Sequence, residues 1–110
     1  MQNHHRMIPG LTEDQQQKIN KLNIDFEKNT LQSHNQIREK EAQLKTLLTQ
    51  DKINLDQADK FIDEIGTLKS AIRKEKVRTD MKIRELLTDD QKVIFDLNRS
   101  HGFGRNAGNN

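Results

Sequence analysis

The side chains best suited to hold a metal ion lie near the two ends of the chain: His4, His5 and Met7 at one, His101 at the other, with His34 alone between them. Neutral imidazoles bind zinc, copper or nickel, so tails brought together would offer a His4/His5/His101 site for one of those ions. The usual helical signatures are missing, because there is no cysteine and neither His-x-x-x-His nor His-Glu-x-x-His occurs. The alternative reading of "QNHHRM" and "HGFGRNAGNN" is a pair of solvated tails whose histidines bind nothing. His34 falls on the flank of an apolar stripe and reads as a surface or interface residue. No Ser/His/Asp order, glycine-rich phosphate loop or isolated carboxylate pair stands out, so the residues point away from an enzyme.

The strongest pattern is a repeated phrase, Leu11-Thr12-Glu13-Asp14-Gln15 and Leu87-Thr88-Asp89-Asp90-Gln91. In Thr-x-x-Gln the threonine hydroxyl accepts from the backbone N–H three residues on, while the glutamine reaches back to the threonine N–H. Each copy therefore predicts a helix start. The acidic pairs Glu13/Asp14 and Asp89/Asp90 then occupy first turns, where the helix dipole favours negative charge.

Between the copies, apolar residues recur at helical spacing. Ile19, Leu22, Phe26, Ile37, Leu44, Leu47 and Leu48 form one stripe, on one long helix or two nearly collinear ones from Thr12 to about residue 49. The stripe weakens where Thr30 and Ser33 take core-facing turns, which allows a bend near Asn29. "TQDKINLDQAD" supplies turn residues, with Asn54 or Asp56 as the cap of the next helix. Ala58, Phe61, Ile62, Ile65, Leu68, Ile72, Ile83 and Leu86 form the second stripe, thin across "RKEKVRTD". A short connection makes the two helices antiparallel neighbours, with partners whose numbers sum to about 103. The repeats then meet at the open end, and a last helix from Thr88 to about residue 98 folds over it with Val93, Ile94 and Leu97.

Composition agrees with long amphipathic helices around a thin core. Only 31% of the 110 residues are hydrophobic and 33% are charged, and the single proline is Pro9. A net charge of +2, with no Trp or Tyr, gives no footprint for nucleic acid. No stretch is apolar enough for membrane insertion, and "MQNHHRMIPG" lacks the apolar segment of a signal peptide. The sequence is thus expected to be cytosolic, or a mature form whose export signal is not included in it.

Some apolar residues face the wrong way for the core. Ile24 and Leu31 lie roughly opposite the stripe of the first helix, and Val77 and Met81 opposite that of the second. Arg73, Lys74, Lys76, Arg78, Lys82 and Arg84 crowd the second pair. An apolar patch rimmed by cations suits a homodimer contact, or reversible capture of an unfolded or acidic partner. Scattered exposed apolar residues on a solvated basic helix are the ordinary alternative.

The two LTxxQ motifs around a long hairpin resemble the LTxxQ family of bacterial envelope proteins, which spans Spy/CpxP-like stress proteins and a heavy-metal-resistance branch of zinc-resistance-associated proteins and CnrX-type sensors. The likeness covers roughly residues 8 to 98, and the middle segment is most similar to the metal-resistance branch. It implies an all-α, four-helix hooked hairpin that pairs into a dimer in the periplasm, with residues 1–10 and 99–110 as flexible tails around a domain at 11–98. Leu11, Thr12, Gln15, Leu87, Thr88 and Gln91 would be its architectural residues. The histidine pair one turn apart that marks the CnrX-type sensor site is not in this sequence. The expected function is binding without catalysis and without a required cofactor. The first expectation is ATP-independent chaperone-like or adaptor action on unfolded or envelope proteins, or on a membrane sensor, through Ile24, Leu31, Arg73, Lys74, Val77, Arg78, Met81 and Lys82. The second is zinc, copper or nickel binding or sensing by His4, His5 and His101; the third is a helical scaffold.

Overall fold

The computed structural model describes the backbone of residues 8–108 and the side chains of residues 8–99. Three helices follow in order: α1, Glu13–Leu47; α2, Leu55–Glu85; and α3, Asp89–Gly108. No strand interrupts them among the described residues. α1 and α2 form the predicted hairpin, and their contacts fall into two compact units, one of residues up to Leu22 and from Asp80 onward, the other Asn23–Thr79.

In the Asn23–Thr79 unit, Ile37, Ala58 and Ile65 are the buried hydrophobic residues. The polar turn of the first stripe is buried too, with Thr30 only 3% exposed. Its Oγ1 donates 2.8 Å to the Phe26 carbonyl one turn earlier, so the hydroxyl is satisfied inside the helix and α1 runs on without interruption at Asn29. At the hairpin turn, Thr49 Oγ1 donates to the Thr46 carbonyl at 2.7 Å. Asn54, the first of the two candidate caps, receives the Gln57 N–H on Oδ1 at 3.1 Å and the Ala58 N–H on its carbonyl at 3.1 Å. Across the hairpin Lys40 pairs with Glu64 at 2.9 Å, close to the predicted register, while Lys69 reaches Glu41 at 3.5 Å from about two turns beyond it.

The other unit has its own core. Ile19, Ile83 and Leu87 are buried together, and Ile8, Leu11, Leu22, Leu86 and Phe95 pack against them. Leu11 and Leu87, one from each repeat, thus belong to one cluster. α2 ends as the Leu86 N–H bonds the Ile83 carbonyl and the Leu87 N–H the Arg84 carbonyl, at 2.9 and 3.1 Å. From this turn α3 folds back. Arg84 reaches it with a two-pronged ion pair, Nε to Asp96 Oδ1 and Nη2 to Oδ2, both 2.9 Å. Asp80, 1% exposed, faces Arg99 at 3.8 Å.

The helix count and one helix end differ from the sequence expectation. The structure has three described helices and not four, because neither proline nor glycine lies between Thr12 and Leu47 to divide the first one. α3 continues to Gly108 and passes the expected end near residue 98. The apolar pattern stops there, but nothing sterically forbids another turn. Gly102 and Gly104 only weaken the helix, by about 1 kcal/mol each.

The Arg84–Asp96 pair gives the unit a pH signature. Asp96 titrates below its ordinary value of 3.8, first because Arg84 hydrogen-bonds its carboxylate, with further attraction from Arg84, Arg99 and Lys92; burial opposes the shift. A carboxyl depressed in the folded state adds stability that is complete above its unfolded value and is lost as pH falls through its folded one. Asp96→Asn is therefore expected to flatten the acid limb of a plot of melting temperature against pH, below about pH 4, without reshaping the neutral range. An unchanged acid limb in that variant would show that the exposed pair contributes nothing, as screened surface pairs often do.

Candidate functional site

Both capping boxes form as predicted. The Thr12 N–H donates to Gln15 Oε1 at 2.9 Å, and the Gln15 N–H donates to Thr12 Oγ1 at 3.1 Å. At the second repeat the same two bonds measure 2.9 Å, Thr88 N–H to Gln91 Oε1, and 3.3 Å, Gln91 N–H to Thr88 Oγ1. The glutamines then do something a cap alone does not need. Gln15 Nε2 crosses to the Leu86 carbonyl at 2.8 Å and to Gln91 Oε1 at 3.0 Å. Gln91 Nε2 crosses the other way, to the Pro9 carbonyl at 3.1 Å and to Gln15 Oε1 at 3.5 Å.

A side-chain amide has two donor and two acceptor capacities, and here all four are used on both residues. Each oxygen takes its own threonine N–H and the opposite amide; each nitrogen gives to the opposite backbone and the opposite oxygen. Glutamate, which also completes a capping box, has no hydrogen to give across. The chain positions the Pro9 carbonyl with Gly10, whose φ of +72° is the one positive φ among the described residues. A Cβ there would touch only Gln91 Nε2, at 3.9 Å, so glycine is needed for backbone conformation and not for space.

Gln91 lies 6% exposed beneath this network, where an unmade hydrogen bond costs about 1–3 kcal/mol. Gln91→Glu, which keeps the cap and removes only the crosswise donors, is expected to lower stability by that amount in urea unfolding. Gln15→Glu should do likewise, and the double variant, which sets two carboxylates against each other with no hydrogen between them, should lose more than the sum. Neutral single variants would mean that each glutamine serves only its own helix.

The second feature lies in the Asn23–Thr79 unit. Ser70, Arg73, Lys74, Val77 and Arg78, at steps of three and four along one face of α2, line a shallow open groove of about 390 Å³. Arg78 is 3.8 Å from Glu75. A second groove of about 350 Å³ is lined by Gln36 and Lys40 from α1 and by Asp63, Glu64, Thr67 and Leu68 from α2. Its Lys40–Glu64 pair was legible from the hairpin register, but its apolar floor at Leu68 was not, since Leu68 counted as core.

Of the residues singled out in sequence, Leu11, Thr12, Gln15, Leu87, Thr88 and Gln91 are brought together in the clasp. Arg73, Lys74, Val77 and Arg78 are brought together in the groove. Ile24 and Leu31 are 52% and 59% exposed on α1, and Met81 and Lys82 are exposed on α2. His34 is exposed. His4, His5 and the side chain of His101 lie outside the described residues. Among those described, no three His, Cys, Asp or Glu side chains are grouped to hold a metal ion, and no helix is long and apolar enough to cross a membrane.

A helical hairpin whose two Thr-x-x-Gln helix starts clasp each other by their amides is the class of protein that the fold defines. The chain belongs to the heavy-metal resistance family, which it matches over residues 1–93. No curated protein and no solved structure is significantly similar to it. The family carries a role connected with metal resistance.

Proposed function

We propose that the chain is a non-catalytic accessory protein of metal resistance in the bacterial envelope, and that it holds non-native or acidic polypeptide on the outer face of α2. The observation that carries this reading is the groove: three cations, Arg73, Lys74 and Arg78, around the exposed Val77. Acidic chain segments are drawn by the charge, and their apolar side chains find Val77 and the methylene stems of the cations. The groove is open and shallow, which fits loose, reversible holding better than recognition of one rigid ligand. No nucleotide motif is present in the sequence, so such holding needs no ATP.

The test is suppression of aggregation of a chemically denatured model enzyme diluted into buffer. The protein should suppress light scattering, and Arg73→Glu with Arg78→Glu should require roughly fivefold more protein for the same effect, with an unchanged helical signal. Equal suppression by the variant would remove the groove from the function.

The family's connection with heavy metals favours a second reading, in which His4, His5 and His101 bind zinc, copper or nickel. Calorimetry with each ion on the intact protein should then give heat that vanishes when all three are changed to alanine. Equal heats in the two proteins would dispose of the terminal site.

A further inference from the structure

Apolar side chains gather where the chain turns from α1 into α2. Leu48, Ile53, Leu55 and Ile62 are 48%, 45%, 68% and 53% exposed. Leu48 and Ile62 belong by spacing to the core stripes, but the first buried residue of α2 is Ala58, so the stripe of the first helix runs past its cover at Leu48. The turn holds its shape by other means. The Thr49 and Gln50 N–H groups donate to the Thr46 and Leu47 carbonyls, and the Gln57 N–H donates to Asn54 Oδ1. None of these bonds uses an apolar side chain.

Along α2, Leu55, Asp59, Ile62 and Gly66 follow one another at steps of four, three and four, which sets them on one face of the helix, and all four are exposed. Gly66 weakens the helix it sits in, and a Cβ added there would meet nothing within 4 Å, so packing within the chain does not call for a glycine. A residue without a side chain at the end of an exposed apolar strip lets another backbone come close.

Charge gives the sign of what approaches. Residues 55–64 carry Asp56, Asp59, Asp63 and Glu64 against Lys60 alone, while residues 69–78 carry Lys69, Arg73, Lys74, Lys76 and Arg78 against Glu75 alone. Asp56 serves the first turn, where the helix dipole favours it, and Glu64 is paired with Lys40. Asp59 and Asp63 lie beyond the reach of the dipole, are exposed, and stand one turn apart, where like charges repel. Folding gains nothing from that pair.

We propose that the strip from Leu55 to Gly66 docks a cationic amphipathic helix of another protein, one that carries Leu, Ile or Phe at steps of three and four between lysines and arginines. The partner's apolar side chains lie on Leu55 and Ile62, its backbone comes closest at Gly66, and its cations face Asp56, Asp59 and Asp63. Leu48 and Ile53 add apolar surface in the adjoining turn. The same three carboxylates repel an acidic chain or an anionic membrane. The two halves of α2 therefore have opposite preferences, and this surface does not rest on the function assigned to the Arg73 groove. The strip spans about 17 Å of helix and covers well under the ~800 Å² per partner of a stable complex. The contact is weak and salt-sensitive.

The probe is a fluorescent synthetic peptide of Leu and Lys arranged as an amphipathic helix, titrated with the intact protein and followed by anisotropy. It is expected to bind at low salt and to be released in about 0.5 M NaCl. Asp59→Asn with Asp63→Asn, and separately Leu55→Gln with Ile62→Gln, should each weaken it roughly tenfold. Glu27→Gln with Glu39→Gln makes the same change of charge at exposed positions of α1 and should leave binding unchanged. Gly66→Leu should raise the melting temperature, because leucine is the better helix former, and still weaken binding, because it fills the place of closest approach. Wild-type affinity in any of the three strip variants, or an equal loss in the α1 control, overturns the proposal. Flotation with phosphatidylcholine or phosphatidylglycerol vesicles in place of peptide binding, or self-association that Leu55→Gln with Ile62→Gln abolishes, gives the strip to another occupant and overturns it as well. Arg73→Glu with Arg78→Glu, which impairs the other surface, should bind the basic peptide at least as tightly as the wild type, so either surface can fail while the other stands.

Discussion

The amide clasp of Gln15 and Gln91 is the constraint on which its end of the hairpin depends. Two helix starts and the turn out of α2 all present unsatisfied backbone groups within a few ångströms of each other, and a thin core cannot bury them unpaired. The two glutamines serve the Thr12 and Thr88 N–H groups and the Leu86 and Pro9 carbonyls, and the threonine hydroxyls take the Gln15 and Gln91 N–H groups. Each cap is worth about 1 kcal/mol and each crosswise bond about as much. In a domain of this size, whose whole stability is on the order of 5–15 kcal/mol, those terms are a large share. The crosswise bonds and the second cap are part-buried, where water competes less for them, while the first cap is exposed. Repetition of the glutamine thus lets each amide find both a donor and an acceptor in the other.

Much of this was legible in the sequence, and the limits have a physical cause. Local rules predicted each capping box, and the hairpin register predicted that the two would converge. The crosswise bonds were not predicted, because a capping rule uses only the glutamine oxygen and is silent about where the nitrogen goes. Thr30 was legible as a core-facing position from its place in the stripe. The burial of Asp80 and Thr79 was not, since "RKEKVRTD" read as a thin, polar stretch. Arg84 and Asp96 meet only because of the angle at which α3 leaves its turn, and no spacing rule supplies that angle.

The groove shows the opposite case. Its residues were found in sequence by asking which apolar side chains oppose the core stripe, a question that helical periodicity answers without tertiary knowledge. The arrangement of Arg73, Lys74 and Arg78 around Val77 then follows from the i, i+3, i+4 geometry of a single helix. A site built on one helix face is the most predictable kind. One that depends on three converging segments, as the clasp does, is the least.

The clasp and the groove belong to different units of the chain, each with its own buried residues. That separation matters for what the α2 face can become. Substitutions at exposed positions such as Asp59, Asp63 and Arg73 change stability little, because none of them caps a helix or fills a core. They change long-range charge strongly, and charge sets how fast and how selectively a surface meets its partners. Exposed positions of α2 in the Asn23–Thr79 unit can therefore vary without disturbing the clasp or either set of buried residues. The acidic and basic halves of α2 are the feature that such freedom leaves open to selection by binding.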